Sequence, residues 1–344
     1  MFKTISEGNV KINVPIERKI SKKLSVFYNP VMKFNRDLSV LLLNTVNKKN
    51  IQIALPLAGT GVRGVRFLKE VKGIKHVYMN DNNEKAVKLI KQNLKLNKTS
   101  KATVSNADAN KFLLDGFGFD YIDIDPFGSP NPFLESSIIR LSRKGILAVT
   151  ATDTSALSGS FPLACMRKYW AKPLRNEQMH ETGLRILIRK VQLIGAQFDK
   201  ALTPIFSYSK DHYMRVFFLC EKGKTHCDKI IKQHNFVVFE NDYAGPLWIG
   251  QLWDKKLAAK MFNNNKIIEN SSFLKIINDE SKINTLGFFD LHRISKRYKI
   301  HNMQKKEEVT KKLKKKGFKV SNTHFSGTGI RTNASIEDIV KVLK

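Results

Sequence analysis

Residues 198–223 read FDKALTPIFSYSKDHYMRVFFLCEKG. Two strand-like runs, FDKALTPIFSYSK and HYMRVFFLCEKG, are joined by only a few residues, Ser209 to Asp211. That connection is too short for a helical crossover, so the runs are expected to pair as an antiparallel hairpin. The chain upstream is different. From residue 51, apolar strands alternate with amphipathic helices: IQIALPLA, then the helix GVRGVRFLKEV; HVYMND, then NEKAVKLIKQNLKLN with Ala86, Leu89, Ile90 and Leu94 on one face. ATVSNADA and FDYIDIDP are the next strands, PFLESSIIRLS a helix, GILAVTATD a fifth strand and, after a polar stretch, HETGLRILIRKVQLIGAQ a long helix. Such alternation predicts a parallel sheet covered on both faces. The sheet therefore starts parallel and ends in a hairpin.

Outside this region the first fifty residues hold a strand-like run from Val10 to Val14 and a helical face of Leu38, Leu41, Leu42 and Val46. Beyond Lys222 the pattern breaks, and AGPLWIGQLWDKKLAAKMF begins a second unit with Trp248 and Trp253. LGFFDLHRISKRY and EEVTKKLKKKGF are expected helices. The tail KVSNTHFSGTGIRTNASIEDIVKVLK reads as strand, Gly-rich turn, strand and closing helix. Two domains are expected, 1–240 and a smaller α+β domain at 241–344. The run KKLKKKGFK is either a solvated helix end or a phosphate contact.

Sixty Lys and Arg against thirty Asp and Glu leave a net charge of +30. A field of that sign attracts a polyanion, and nucleic acid is the expected partner. A general bias toward Lys, Asn and Ile would inflate the same count. No basic amphipathic anchor suggests a membrane, and no run of eighteen apolar residues is present. The opening MFKTISEGNVKINVPIERKI lacks the apolar core of a signal peptide. Cys165, Cys220 and Cys227 form neither a disulfide framework nor a Cys-x-x-Cys zinc pattern. A reducing cytoplasm and no metal are expected.

Chemistry concentrates at the strand ends. Gly59-Thr60-Gly61-Val62-Arg63-Gly64 follows the first strand and opens a helix, a G-x-G-x-x-G that can approach a cofactor or simply permit close packing. Asn80-Asp81 ends the second strand, where a carboxylate can accept from ribose hydroxyls. Asn106-Ala107-Asp108-Ala109 ends the third; Asp108 can accept from an adenine amine, with small Ala109 leaving room for the ring, or can cap a helix. These features indicate an adenosine cofactor, NAD or S-adenosylmethionine (SAM). The fourth strand ends in Asp125-Pro126-Phe127-Gly128. The period of two puts Tyr121, Asp123 and Asp125 on one side of it. A dinucleotide site has no use for that element, but methylation of an exocyclic amine does. The amine lone pair is delocalised into its ring. Acceptors at Asp125 and the Pro126 carbonyl would localise it, Phe127 would stack on the base, and Asp125 would take the proton. The base must first leave any helical stack.

The parallel sheet closed by a hairpin is similar to the layout of class I methyltransferases, a Rossmann-like α/β fold. DPFGSP resembles the Asp/Asn-Pro-Pro-aromatic motif of amino methyltransferases, in the form found in tRNA (guanine-N2-)-dimethyltransferases. FYNPVMKFNRD, GTGVRGVRF, NADAN, VTATD, ACMRKYW, HETGLRIL, YSKDHYMR, AGPLWIG and THFSGTGIRT look like that family in the same order, over essentially the whole chain. The resemblance implies SAM contacts at Arg36, Arg63, Asp81, Asp108 and Ala109, beside the Gly59 and Gly61 loop. It implies methyl transfer at Asp125, with Pro126 and Phe127, to N2 of guanosine 26 in tRNA, once and then again. It implies a cytoplasmic enzyme with tRNA as partner and no obligate protein partner. Asp153 of VTATD either faces the site or caps a helix. Leu55 stands where the family often has an acidic residue, so Asp81 and backbone carbonyls are expected to carry more. The alternatives are an amino methyltransferase acting on another guanosine in tRNA or rRNA, or on adenine in DNA; an inactive RNA-binding protein of this fold; and a dehydrogenase.

Overall fold

The computed structural model describes residues 2–16, 25–239 and 242–344. The chain opens with β1 (Phe2–Glu7) and β2 (Val10–Pro15), an antiparallel hairpin, followed by α1 (Lys33–Val46). The alternation comes next: β3 (Ile51–Leu55), α2 (Val62–Glu70), β4 (Ile74–Asn80), α3 (Glu84–Leu96), β5 (Ala102–Ser105), α4 (Ala109–Asp115), β6 (Phe119–Ile124), α5 (Asn131–Arg140) and β7 (Leu141–Ala151). Then follow α6 (Thr154–Leu157), α7 (Pro162–Tyr169), α8 (Met179–Ala196), β8 (Lys200–Lys210), β9 (Tyr213–Lys222) and α9 (Lys224–Ile231). The remainder is β10 (His234–Phe239), β11 (Asp242–Trp248), α10 (Lys255–Asn264), α11 (Ile268–Glu280), β12 (Phe289–Asp290), α12 (Leu291–Arg297), α13 (Lys306–Lys315), β13 (Val320–Asn322), β14 (Gly329–Thr332) and α14 (Ile336–Leu343).

Two compact units are formed. One is Met1–Asp153 with Val191–Thr203 and Arg215–Ile231; the other is Thr154–Lys190 with Pro204–Met214 and Lys232–Lys344. The boundary expected at residues 240 and 241 lies outside the described residues.

Seven strands form the main sheet in the order β5-β4-β3-β6-β7-β9-β8. β3 pairs in parallel with β4 (Ile53 beside Val77) and with β6 (Ile53 beside Tyr121). β5 and β7 extend the parallel set on either side. Strands covered on both faces read as unbroken apolar runs, and Ile51, Ile53, Ala54 and Leu55 are buried, as are Ile122 and Ile124. Strands β8 and β9 meet across only Asp211 and His212, which forces them antiparallel. The connections leaving β3 run toward β5, whereas β6 lies on its other side. The strand order thus reverses between β3 and β6, where open α/β sheets bind ligands at their carboxyl ends. The hairpin β1–β2 packs Val10, Ile12 and Val14 against Val62 and Val65 of α2.

In the second unit, β12, β14 and β13 form a small sheet, and β10 pairs with β11. The small sheet shares a core with α12, α13 and α14 through Leu291, Val309, Leu313, Ile330 and Ile339. Ser335 and Asp338 cap α14 reciprocally. HETGLRIL and THFSGTGIRT meet in a buried charge network. Arg331 is fully buried, with Nη2 2.5 Å from Glu181 and Nε donating to Glu280 at 3.0 Å. Arg185 Nε donates to Glu181 at 2.9 Å, and His324 Nδ1 lies 2.5 Å from Glu280. Burial alone would raise the Glu181 carboxyl, but the Arg331 and Arg185 guanidiniums hold it down at about 2.

Several elements differ from the sequence reading. The stretch read as polar between VTATD and HETGLRIL contains α6 and α7. Only Cys165 and Tyr169 of α7 are buried, while Leu163 and Met166 face outward, so no buried apolar stripe marks it. Helix α11 buries Asn270 and Asn278 beside Leu274 and Ile277, which blurs its period.

Candidate active site

The loop after β3 depends on two glycines. Gly59 has φ +55° and Gly61 φ +77°, and a Cβ on Gly59 would sit 2.9 Å from the Phe27 carbonyl oxygen. Asp81, just past β4, fixes this loop: its Oδ2 accepts from the Gly59 amide at 2.8 Å and its Oδ1 from the Asn83 amide at 2.9 Å. Burial raises the Asp81 carboxyl, and the two amides oppose that rise. Buried Asn80 ties three strand ends together, donating to Pro56 and Ala107 carbonyls and accepting from the Ala107 amide. Asp108 is exposed and caps α4, accepting from the Asn110 and Lys111 amides, while Ala109 behind it is buried. The cap is its role within the protein.

At the end of β6 the alternation places three polar groups on one face. Tyr121 OH donates to Asp123 Oδ2 at 2.7 Å, and Asp125 follows at the mouth. Two guanidiniums hold this face. Arg215 of β9, fully buried, donates to both Asp123 oxygens at 2.8 and 2.7 Å and also to Thr150 and Ser39. Arg63 of α2 donates from Nη2 to Asp125 and to Asn35, and from Nη1 to Ser39; Nη1 also lies 3.3 Å from Asp123. Burial would raise the Asp123 carboxyl, but Arg215 and Arg63 bring it below the usual range. Two buried cations therefore match two carboxylates.

Arg36 of α1 is clamped rather than free. Its Nε and Nη2 donate to Glu7 at 2.6 and 2.5 Å, and Nη2 also reaches the Asn29 carbonyl. Glu7 additionally accepts from Tyr28 OH and from Arg66, which itself pairs with Asp37 and Glu70. The turn after Asp125 is held by Thr152, whose Oγ1 accepts from the Gly128 amide at 2.6 Å and whose amide donates back to the Gly128 carbonyl. Gly128 has φ +89° with open space where a Cβ would be. Pro126 is buried. Phe127 is 43% exposed, and its ring meets Phe27 edge-on at a centroid distance of 4.1 Å.

One cleft is lined by Phe27, Arg36, Leu55, Gly59, Arg63 and Asp125, with Asp123 and Thr60 also in its wall. Four expected site residues, Arg36, Gly59, Arg63 and Asp125, meet there. Asp81 and Gly61 support its glycine loop, while Asp108 and Ala109 lie one strand further out and do not line it. Leu55 lines the cleft as read, and Asp123 of the neighbouring strand brings a carboxylate into the same wall.

A family model described as N2,N2-dimethylguanosine tRNA methyltransferase matches residues 8–241 and 236–344. The chain belongs to this family. Among its relatives, the tRNA (guanine(26)-N(2)/guanine(27)-N(2))-dimethyltransferase of Aquifex aeolicus is 39% identical, covering 99% of this chain and 95% of that one. The tRNA (guanine(26)-N(2))-dimethyltransferase of Methanocaldococcus jannaschii is 38% identical, covering 98% of both. Trm1 from Pyrococcus horikoshii, solved in complex with S-adenosyl-L-methionine, superposes with a TM-score of 0.89 at 34% identity, covering 99% of this chain and all of that one. The fold class and family resemblance read from the sequence agree with these matches.

Several groups that hold the residues around this dimethyltransferase's cleft in place were not singled out from sequence. Glu7, Arg66 and Ser39 act through partners distant in the chain, and no period reveals them. Arg215 could have been found: it is the lone charge in the apolar run from Tyr213 to Cys220, where a buried cation requires a carboxylate. Thr152 left no signal beyond its place beside Asp153. Asp153 directly precedes α6. Among the described residues, no three His, Cys, Asp or Glu side chains are placed to hold a metal. No helix among them is long and apolar enough to cross a membrane.

Proposed function

We propose that the chain methylates the exocyclic N2 of guanosine 26 in tRNA, first to N2-methylguanosine and then to N2,N2-dimethylguanosine, with SAM as methyl donor. The observation that carries this reading is Asp125, Pro126 and Phe127 at the end of β6, beside the glycine loop fixed by Asp81.

The cleft suits SAM. Thr60 in its wall is buried, and its hydroxyl has no hydrogen-bond partner among the described residues. Arg36 and Arg63 line the cleft and would face a carboxylate, and Asp81, beneath the glycine loop, would be the acceptor for ribose hydroxyls. Asp108 and Ala109 would flank the adenine. The cofactor, when bound, supplies an electrophilic methyl on a sulfonium. The protein's own groups do the rest. The Asp125 carboxylate and Pro126 carbonyl accept from the guanine amine, disfavour its planar form and localise its lone pair. Phe127, with Phe27 against its edge, gives the base an aromatic surface and fixes its approach. Asp125 receives the proton that nitrogen releases on alkylation. A second transfer requires the same contacts with one amine hydrogen replaced by methyl, so the acceptors must hold the amine through a single N–H.

The basic segment 241–344 is the tRNA-binding part of this reading, and its lysine-rich α13 keeps only Val309 and Leu313 buried. A tRNA substrate places the work in the cytoplasm. Incubation of pure protein with unmodified tRNA and SAM, followed by mass mapping of nucleosides, tests the proposal. Dimethylguanosine at position 26 is expected. The name of the Aquifex relative makes position 27 a second site to map. Absence of methyl incorporation would overturn the reading.

A further inference from the structure

Between Thr154 and Asn176 the chain carries Arg167, Lys168, Lys172 and Arg175 and no Asp or Glu. Helix α7 in this stretch is anchored by Cys165 and Tyr169, both fully buried. Its other side is unusually apolar for an exposed face: Leu163 is 67% exposed and Met166 51%, with Phe161 63% exposed at the N-cap. Trp170 closes the helix as its C-cap and is 50% exposed. Leu163, Met166 and Trp170 follow the three-then-four spacing of one helical face.

Trp170 is held in place. Its amide donates to Met166, its carbonyl accepts from Arg189 Nη1 at 3.3 Å, and Lys190 Nζ sits 2.9 Å from the ring centroid. One side of the indole is therefore backed by a cation while half of the residue faces solvent. Lys172 is paired with Asp242 at 2.7 Å, but Arg167 and Lys168 flank the exposed apolar face on the helix itself. Apolar and aromatic side chains on a stretch whose own charges are all basic match a nucleic acid whose base faces are uncovered: bases meet the rings and phosphates meet the cations. A second copy of this chain is disfavoured, since each carries a net charge of +30 and this stretch is itself purely basic.

We propose that this face of α7 with Trp170 is an RNA-contacting surface. Trp170, Leu163 and Met166 pack on unstacked bases of the tRNA, and Arg167 and Lys168 contact the flanking phosphates. The proposal rests on the tRNA reading above and deepens it: extracting a guanine from a stack uncovers neighbouring base faces that need apolar cover.

Fluorescence tests this directly in the full chain. Of three tryptophans, Trp248 and Trp253 are buried, so quenching by acrylamide reports Trp170. Adding unmodified tRNA transcript is expected to quench or shield that emission, and Trp170→Phe should lose the change. Trp170→Ser and Leu163→Ser should each bind tRNA roughly 5- to 100-fold more weakly at fixed salt, with SAM binding unchanged. Leu163→Ser alters a side chain that is mostly exposed, so it carries the test if Trp170→Ser fails to fold. Wild-type protein that methylates tRNA while Trp170 stays open to acrylamide, with Leu163→Ser binding normally, would overturn the surface and leave the activity standing. A dimer that Leu163→Ser dissociates would assign the face to a second copy instead. Wild-type protein that neither binds nor methylates tRNA would remove the substrate reading and this surface together.

Discussion

Arg63 donates to Asp125 from the same guanidinium whose other nitrogen lies 3.3 Å from Asp123. The carboxylate proposed to hold the guanine amine is thus not a lone group at a strand end. It is the outer member of a stack of alternating charge that runs inward through Arg63 and Asp123 to Arg215. Arg63 also lines the cleft proposed for SAM, so one side chain adjoins both cofactor and substrate groups.

That sharing predicts how Asp125→Ala behaves. Methyl transfer should be abolished, because the amine loses its acceptor. SAM affinity should stay within about threefold of wild type and tend toward tighter binding, since removing a carboxylate frees Arg63 for another. Equilibrium dialysis with SAM beside a single-turnover assay separates the two effects. A loss of SAM affinity comparable to the loss of rate would exclude this role.

Arg215 gives a stability prediction. Arg215→Met leaves Asp123, 3% exposed, with Arg63 as its remaining cation. Stripping one partner from a buried pair costs about 3–5 kcal/mol, whereas removing both charges costs less. Urea unfolding should show the single variant strongly destabilised, and Arg215→Met with Asp123→Asn recovering at least ~1 kcal/mol. Strictly additive costs would mean that the two groups are not coupled.

The strand ends were legible because chemistry and period coincide there. Asp81, Asp108 and Asp125 each follow an apolar run at the point where an α/β sheet presents its ligand site, and Gly59 and Gly61 take the positive φ that their loop requires. The hairpin was legible from its short connection. Arg36 and Arg63 were reached only through family resemblance, because a helical arginine looks the same in sequence whether it faces water or a buried carboxylate. Glu7 was hidden for a related reason: its partners Arg36 and Arg66 lie 29 and 59 residues away. Helix α7 was missed because its exposed side is apolar, reversing the pattern that marks a surface helix.

Two of the positive-φ glycines of the site, Gly59 and Gly128, should respond differently to alanine. Gly59→Ala places a Cβ 2.9 Å from the backbone oxygen of Phe27, so the loop beneath the cleft must shift. SAM affinity should fall by about tenfold or more, as one displaced contact of ~1.4 kcal/mol already gives that factor. Gly128→Ala meets open space and carries only the cost of its φ, of order 1–3 kcal/mol in stability, with SAM affinity retained. Calorimetric titration with SAM distinguishes them, and equal losses in both variants would contradict the geometry.

The buried network of the second unit predicts an acid response. The Glu181 carboxyl sits at about 2 in the folded chain against an ordinary value of 4.5, because Arg331 and Arg185 outweigh its burial. A group lowered in this way contributes stability that is fully present above pH 4.5 and is lost as pH falls toward 2. Linkage sets the contribution at about 3 kcal/mol. Unfolding free energies measured by urea from pH 6 down to pH 3 should therefore decline below pH 4.5. Glu181→Gln should start lower at neutral pH, since Arg331 loses a buried partner, and should decline less steeply with acid. An unchanged slope in that variant would place the acid sensitivity elsewhere, with Glu280 beside His324 and Arg331 the next group to test.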